Sequence, residues 1–169
     1  MSAIDQLLRN NAGYVHEPAV SALPSRPRLE MAVLTCMDAR IDVPRVLGLA
    51  PGDAHILRNA GGVVTDDVIR SLLISQRLLG TREVMVIHHT ECGMQSFQDE
   101  ALKAEIEQEV GVRPPFALGS FSDLRQDVRE SMLRILSSPF LARKDEVRGF
   151  IYDVRTGRLD AVTLQDRSE

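Results

Sequence analysis

Apolar residues fall along this chain in short blocks separated by polar turns, and the spacing inside the blocks changes from one to the next. Compact apolar runs at residues 29–35, 54–58 and 83–88 predict three β-strands. Between the first two, residues 43–49 predict a short helix opened by Pro44 in its first turn. Thr65 is the predicted N-cap of a longer helix, with Asp66 and Asp67 in the first turn, where the helix dipole favours acids. Val68, Leu72, Ile74, Leu78 and Leu79 supply its apolar contacts, and Gly80 is its expected C-cap. Residues 98–110 predict a polar helix. Residues 121–136 predict another, with Leu124, Val128, Met132 and Ile135 near helical spacing. Two further strands, 147–154 and 158–164, flank the hairpin signal Thr156-Gly157. Strands alternating with helices predict an α/β fold: a mainly parallel β-sheet flanked by helices, closed by a C-terminal antiparallel edge hairpin.

Residues 1–28 read as an N-terminal arm. Residues 3–10 can form a short helix with Ile4, Leu7 and Leu8 on one face, after which Pro18, Pro24 and Pro27 prevent regular helix. Residues 29–169 then form a single domain, the size one core supports. A hydrophobic fraction of 44% with 26% charged residues is ordinary for a globular chain. The net charge of −4 and the lack of a Lys/Arg run argue against nucleic acid as a partner. No apolar stretch reaches the roughly 20 residues of a membrane span, and the first residues lack the order of a secretion signal, so a cytoplasmic protein is expected.

The chemistry concentrates in two segments, Leu34-Thr35-Cys36-Met37-Asp38-Ala39-Arg40 and His88-His89-Thr90-Glu91-Cys92-Gly93. Each follows a predicted strand, and Arg58 and Asn59 follow a third, so all three point polar residues to one edge of the sheet. Ligands of open parallel sheets bind at that edge. Cys36, His89 and Cys92 offer two thiolates and one imidazole, a set that suits zinc and leaves a fourth position for water or substrate. Gly93 is expected to give the sharp turn after the His-x-x-Cys spacing. Two buried thiols, or a Cys36–Cys92 disulfide disfavoured in a reducing compartment, are the alternatives for the cysteines. Asp38 can bind a metal or accept a proton from metal-bound water, and Arg40 can hold it bidentately and ionised.

The remaining candidates read as structural. His16 is expected to face solvent, His55 to be hydrogen-bonded at the start of its strand, and His88 to point away from His89. Met31, Met37, Met85 and Met94 are expected in the core or lining a pocket. Nucleotide binding is disfavoured, because the Asn59-Ala60-Gly61-Gly62 loop lacks the Gly-x-Gly-x-x-Gly order and no Gly-Lys-Ser/Thr loop is present.

Cys36-Met-Asp38-Ala-Arg40, Arg58-Asn59-Ala60-Gly61-Gly62 and His89-Thr-Glu-Cys92 together resemble, in order and spacing, the motifs of the β-class carbonic anhydrases, in particular the compact bacterial members. Position 91 departs from the pattern, being Glu where many members carry Asp or a small residue. The resemblance implies one Zn2+ per chain on Cys36, His89 and Cys92, with Asp38 as fourth ligand in a closed state and drawn off by Arg40 in an open one. It implies catalytic roles for Asp38 and Arg40 in the reversible hydration of CO2 to bicarbonate and a proton by zinc-bound hydroxide, with the closed state favoured at lower pH. Gly61, Gly62, Val63 and Val64 become candidates to line the pocket. A homodimer or dimer of dimers follows, with the arm embracing the partner. The alternatives are hydrolysis of carbonyl sulfide or carbon disulfide on the same zinc, or a non-catalytic zinc-binding protein.

Overall fold

The computed structural model describes residues 2–14 and 23–165; the expectation for His16 lies outside them. A first helix, α1, spans Ala3–Tyr14, longer than the predicted 3–10, and none of its residues is buried. The domain then runs β1 (Met31–Cys36), α2 (Val43–Leu47), β2 (Ala54–Asn59), α3 (Asp66–Leu79), β3 (Glu83–His89), α4 (Asp99–Val110), α5 (Leu124–Ser137), β4 (Glu146–Tyr152) and β5 (Leu159–Val162). Single 3-10 turns at Ala60–Gly62 and Gly93–Gln95 follow β2 and β3.

Local chemistry sets the helix ends. The Thr65 hydroxyl accepts from the Val68 backbone N–H, and Gly80 closes α3 in the left-handed conformation at φ 77°. Asp123 accepts from the Gln126 N–H in the same way, so α5 starts at Leu124 rather than at the predicted Phe121. Asp99, in the first turn of α4, accepts from the backbone N–H groups of Leu118, Gly119 and Ser120 at 2.8–3.1 Å. That bond folds the segment after α4 back on itself and returns Phe121 toward the end of β3, where its N–H reaches the Met94 carbonyl at 3.3 Å.

The five strands lie in the order β2-β1-β3-β4-β5. The first four are parallel, and β5 pairs antiparallel with β4 as the edge. Alternate residues face opposite sides. Ala32, Leu34, Val84 and Val86 pack under α3 and α5 against Val68, Leu72 and Ile135. Val33, Ile87 and Tyr152 face the other side, where Ile41 and Val43 cover them. On that second face Met31, Met85 and Phe150 are only half-buried, because α2 has just five residues.

The chain leaves β1 toward β2 and leaves β3 toward β4, in opposite directions along the sheet. The crevice between the carboxyl ends of β1 and β3 is therefore the topological switch point, where doubly wound sheets bind their ligands. Farther along, α5 crosses β4 so closely that a methyl on Gly149 would lie 2.4 Å from Val128 Cγ1 and 2.8 Å from Met132 Sδ. Gly149→Ala is expected to cost about 1–3 kcal/mol by overpacking. Urea denaturation should show a lowered midpoint with the slope unchanged.

Candidate metal centre

Cys36 is the last residue of β1, Asn59 pairs with it at the end of β2, and His89 is the last residue of β3. Cys92 follows in the turn that leaves β3. Thr90 ties that turn to the next strand: its N–H donates to the Tyr152 carbonyl at 3.0 Å, and its hydroxyl accepts from the Val154 N–H at 3.1 Å. The chain reverses at Glu91, whose φ of 57° is rare for a residue with a side chain. Gly93 is not in that conformation and begins the 3-10 turn, so the sharp reversal expected of it belongs to Glu91.

These elements bring Cys36, His89 and Cys92 together. Their ligand atoms lie within 4.8 Å of one another, and all three residues are buried. His88 is equally buried but turns the other way: its Nε2 donates to the Gly62 carbonyl at 3.1 Å. His55 is hydrogen-bonded to the Ser75 hydroxyl at 2.7 Å, at the far end of the sheet. Both outcomes follow the sequence expectation. Met37 does not, being 66% exposed, because Ala32, Leu34 and Thr35 fill β1 inward while Met37 lies beyond its end. Val64 packs in the core with Leu34 and Val68, so only Gly61, Gly62 and Val63 of the expected pocket stretch lie beside the cluster.

The donor set fits a soft divalent cation. His89 Nδ1 donates to the Thr90 carbonyl at 2.8 Å, which fixes the ring. The opposite nitrogen, Nε2, is buried with no aligned hydrogen-bond partner and faces the two sulfurs. The two sulfurs are in hydrogen-bond contact. A hydrogen bond from the Cys92 thiol pulls Cys36 down to about 4, against the effect of burial, with help from His89 and the Asp38 and Gly61 N–H groups. The same contact, with burial, pushes Cys92 well above an ordinary thiol. Burial pulls the His89 imidazole down, but the Cys36 sulfur and the Thr90 carbonyl push it up by more. A cation bound among two thiols and a neighbouring ring would displace their protons.

Asp38 and Arg40 sit at the rim. Arg40 donates to Asp38 from Nε at 3.0 Å and from Nη2 at 2.8 Å, and its backbone N–H adds a third bond at 2.9 Å. The Arg40 guanidinium thereby holds Asp38 well below the usual carboxylate range, against a smaller opposing effect of burial. One Asp38 oxygen lies 3.7 Å from His89 Nε2. Arg40 also reaches the Glu91 carbonyl at 3.1 Å, and Glu91 accepts from Arg155 at 2.6 Å.

The sequence placed Arg58 at a strand end without giving it a task. Its Nε donates to the Cys36 carbonyl at 2.9 Å and its Nη2 to the Asp38 carbonyl at 2.7 Å, so one guanidinium spans the peptide segment that carries both site residues. Met94 and Phe121 flank Gly61 and make an apolar wall beside the cysteines.

An open parallel sheet with a buried Cys-His-Cys cluster able to hold a metal at its switch point, and a carboxylate–guanidinium pair on the rim, is the arrangement of an α/β protein with a metal-type site at its strand ends. Residues 31–114 match the family model described as carbonic anhydrase. The chain is 50% identical over 163 residues to "Beta-carbonic anhydrase 1" of Mycobacterium bovis, covering 96% of this chain and 99% of that protein. It is 37% identical to a carbon disulfide hydrolase of Acidianus sp., covering 83% of this chain and 79% of that one. The carbonic anhydrase of Streptococcus mutans superposes with a TM-score of 0.90 at 43% identity, covering 96% of this chain and 99% of that structure. The chain belongs to the β-carbonic anhydrase family of enzymes.

Arg58→Lys tests the guanidinium bridge. A lysine ammonium lacks the planar fork and cannot hold both carbonyls at these positions. The variant is expected to lose about 1.5–3 kcal/mol of stability, the range for hydrogen bonds to a charged group. Thermal denaturation of the metal-free protein reads this directly.

Proposed function

We propose that this chain catalyses the reversible hydration of CO2 to bicarbonate and a proton, with Cys36, His89 and Cys92 holding one zinc ion. The buried cluster of three ligand atoms within 4.8 Å, beside an ionised Asp38, carries the reading. Zinc, when bound, supplies a Lewis acid that lowers the pKa of a coordinated water to about 7.

The chain's own residues supply the rest. Asp38, kept ionised by Arg40 and with one oxygen 3.7 Å from His89 Nε2, is an acceptor beside the cluster that would orient the attacking oxygen by taking its hydrogen bond. Gly61, Met94 and Phe121 offer an apolar surface that suits a linear, uncharged substrate. The overall balance is CO2 and water to bicarbonate and one proton, and the proton leaves to buffer.

A second reading rests on the carbon disulfide hydrolase relatives, three of them 36–37% identical. Carbon disulfide and carbonyl sulfide are also linear and apolar, so the same site suits them, and the shape of the approach decides between them. A non-catalytic zinc protein is the weaker alternative, because Asp38 and Arg40 are both in place. Stopped-flow assays on zinc-loaded protein with CO2, carbonyl sulfide and carbon disulfide side by side are expected to give turnover with CO2 above all. Cys36→Ser should lose zinc and turnover together. Asp38→Asn should keep zinc and lose turnover by about 10²-fold or more, the range for a positioned acid–base group. Silence with CO2 at one zinc per chain would overturn the assignment.

The same reading includes a homodimer, or a dimer of dimers, with residues 1–28 as an arm embracing the partner. Ile4, Leu7, Leu8 and Tyr14 of α1 are all exposed, and the sheet face bearing Met31, Met85 and Phe150 is only half-covered. A partner copy would bury both. The two free cysteines are in keeping with a reducing cytoplasm. Light scattering on the full chain is expected to report twice or four times the chain mass. Removing residues 1–14 should shift it toward monomer, and a monomeric full chain would refute the arm's role.

A further inference from the structure

The activity proposed above leaves His88 unused, although it is fully buried beside the ligand His89. Its two ring nitrogens engage two different parts of the fold. Nε2 donates to the Gly62 carbonyl at 3.1 Å. Nδ1 lies 2.9 Å from Asp127 Oδ2, a close approach outside hydrogen-bond alignment. Asp127 belongs to α5, and the Phe121 ring caps the imidazole at 5.9 Å between centroids.

Gly62 explains why this chain of contacts matters to the site. Its φ is 73°, and a methyl on it would lie 2.9 Å from the Cys36 nitrogen and the Thr35 carbonyl carbon and 3.2 Å from the Ile87 carbonyl oxygen. The Ala60–Gly62 turn is therefore seated, backbone on backbone, in the crevice between β1 and β3. The neighbouring Gly61 N–H is among the donors to the Cys36 sulfur. Whatever seats this turn also sets where Cys36 presents its sulfur.

We propose that His88 and Asp127 are positioning residues for the metal centre: the buried imidazole, braced by α5, clamps the Gly62 turn onto the end of β1 and so fixes the Cys36 arm of the ligand set. The proposal rests on the zinc-site reading. It assigns a role on the opposite side of the sheet end from the Asp38–Arg40 pair, through residues that touch neither metal nor substrate. Outer partners of this kind typically change metal affinity by about 10–100-fold when removed.

Amide variants of His88 separate a positioning role from bulk stability. In His88→Gln the side-chain NH2 can reach the place of Nε2 and keep the bond to Gly62. In His88→Asn the same group stops short. His88→Phe removes the donor altogether. Zinc affinity is measured by chelator competition, and exchange of the Gly61 and Gly62 amides is followed in the metal-free protein. Asn and Phe are expected to weaken zinc by about tenfold or more and to speed exchange at both glycines, while Gln stays within about threefold of the parent. Asp127→Leu should fall in between, and Asp127→Asn, which can still face Nδ1 with its amide, should recover most of the affinity. If Phe does not fold, the Asn and Gln pair decides the question alone. Equal zinc affinity in Asn, Gln and parent, whatever their melting temperatures, overturns the proposal. A parent protein that takes up no zinc refutes instead the reading on which it rests, and the glycine exchange rates still report whether His88 seats the turn.

Discussion

The pairing of β1 with β3 is the constraint on which the rest of this structure depends. Cys36 and His89 are far apart in the chain, and they meet only because β1 and β3 lie side by side, in parallel, with Thr35 level with Ile87. A slip of one residue would send the apolar side chains of β1 to the opposite faces, since side chains alternate. The register is held from both sides. Ala32, Leu34, Val84 and Val86 are locked under α3 and α5, while Val33 and Ile87 are locked on the other face. The Gly62 turn then seals the open end of the crevice, which only a residue without a side chain can enter.

Gathering two thiols and an imidazole in a dry crevice is unfavourable unless each polar group finds a partner. The fold meets this with backbone groups and one charged side chain. His89 Nδ1 is satisfied by the Thr90 carbonyl, the Cys36 sulfur by backbone N–H groups, and the carbonyls of Cys36 and Asp38 by the single guanidinium of Arg58. At the centre of the cluster His89 Nε2 is left without an aligned partner, facing the two sulfurs. The second half of the hydrogen bonding is thus spent on aiming the first.

Much of the architecture was legible from local chemistry. The apolar runs found every strand of the sheet, and the Thr65 and Gly80 caps bounded α3 because capping is a property of single residues. The meeting of Cys36, His89 and Cys92 was legible because each sits at or just past a strand end, and strand ends of a parallel sheet converge. The departures share one physical cause. Whether Val64 turns to the core or to the pocket, whether Glu91 or Gly93 takes the left-handed conformation, and which partners Arg58 and His88 find all depend on segments distant in sequence. Periodicity reports which face a residue occupies and is silent about what lies across from it. Asp127 illustrates the limit: on α5 it reads as an ordinary solvated acid between apolar positions, and only the packing of that helix across β3 brings it to His88.

The site is also graded in stiffness, and the grading follows from burial. Cys36, His89 and Cys92 are enclosed, and moving any of them breaks buried contacts. Asp38 is held chiefly by Arg40, whose side chain is 48% exposed, and Arg40 is shared with Glu91, itself bonded to the mostly exposed Arg155. Exposed ion pairs are worth roughly 0–1 kcal/mol each, because water competes for both partners. Bidentate geometry raises the directional precision of the Arg40–Asp38 contact more than its net energy. Asp38 is therefore well oriented but loosely bound, at the rim of a cluster whose three members, Cys36, His89 and Cys92, are all buried. A buried floor beneath an exposed, exchangeable rim suits a site that would hold a metal firmly and let smaller molecules come and go above it.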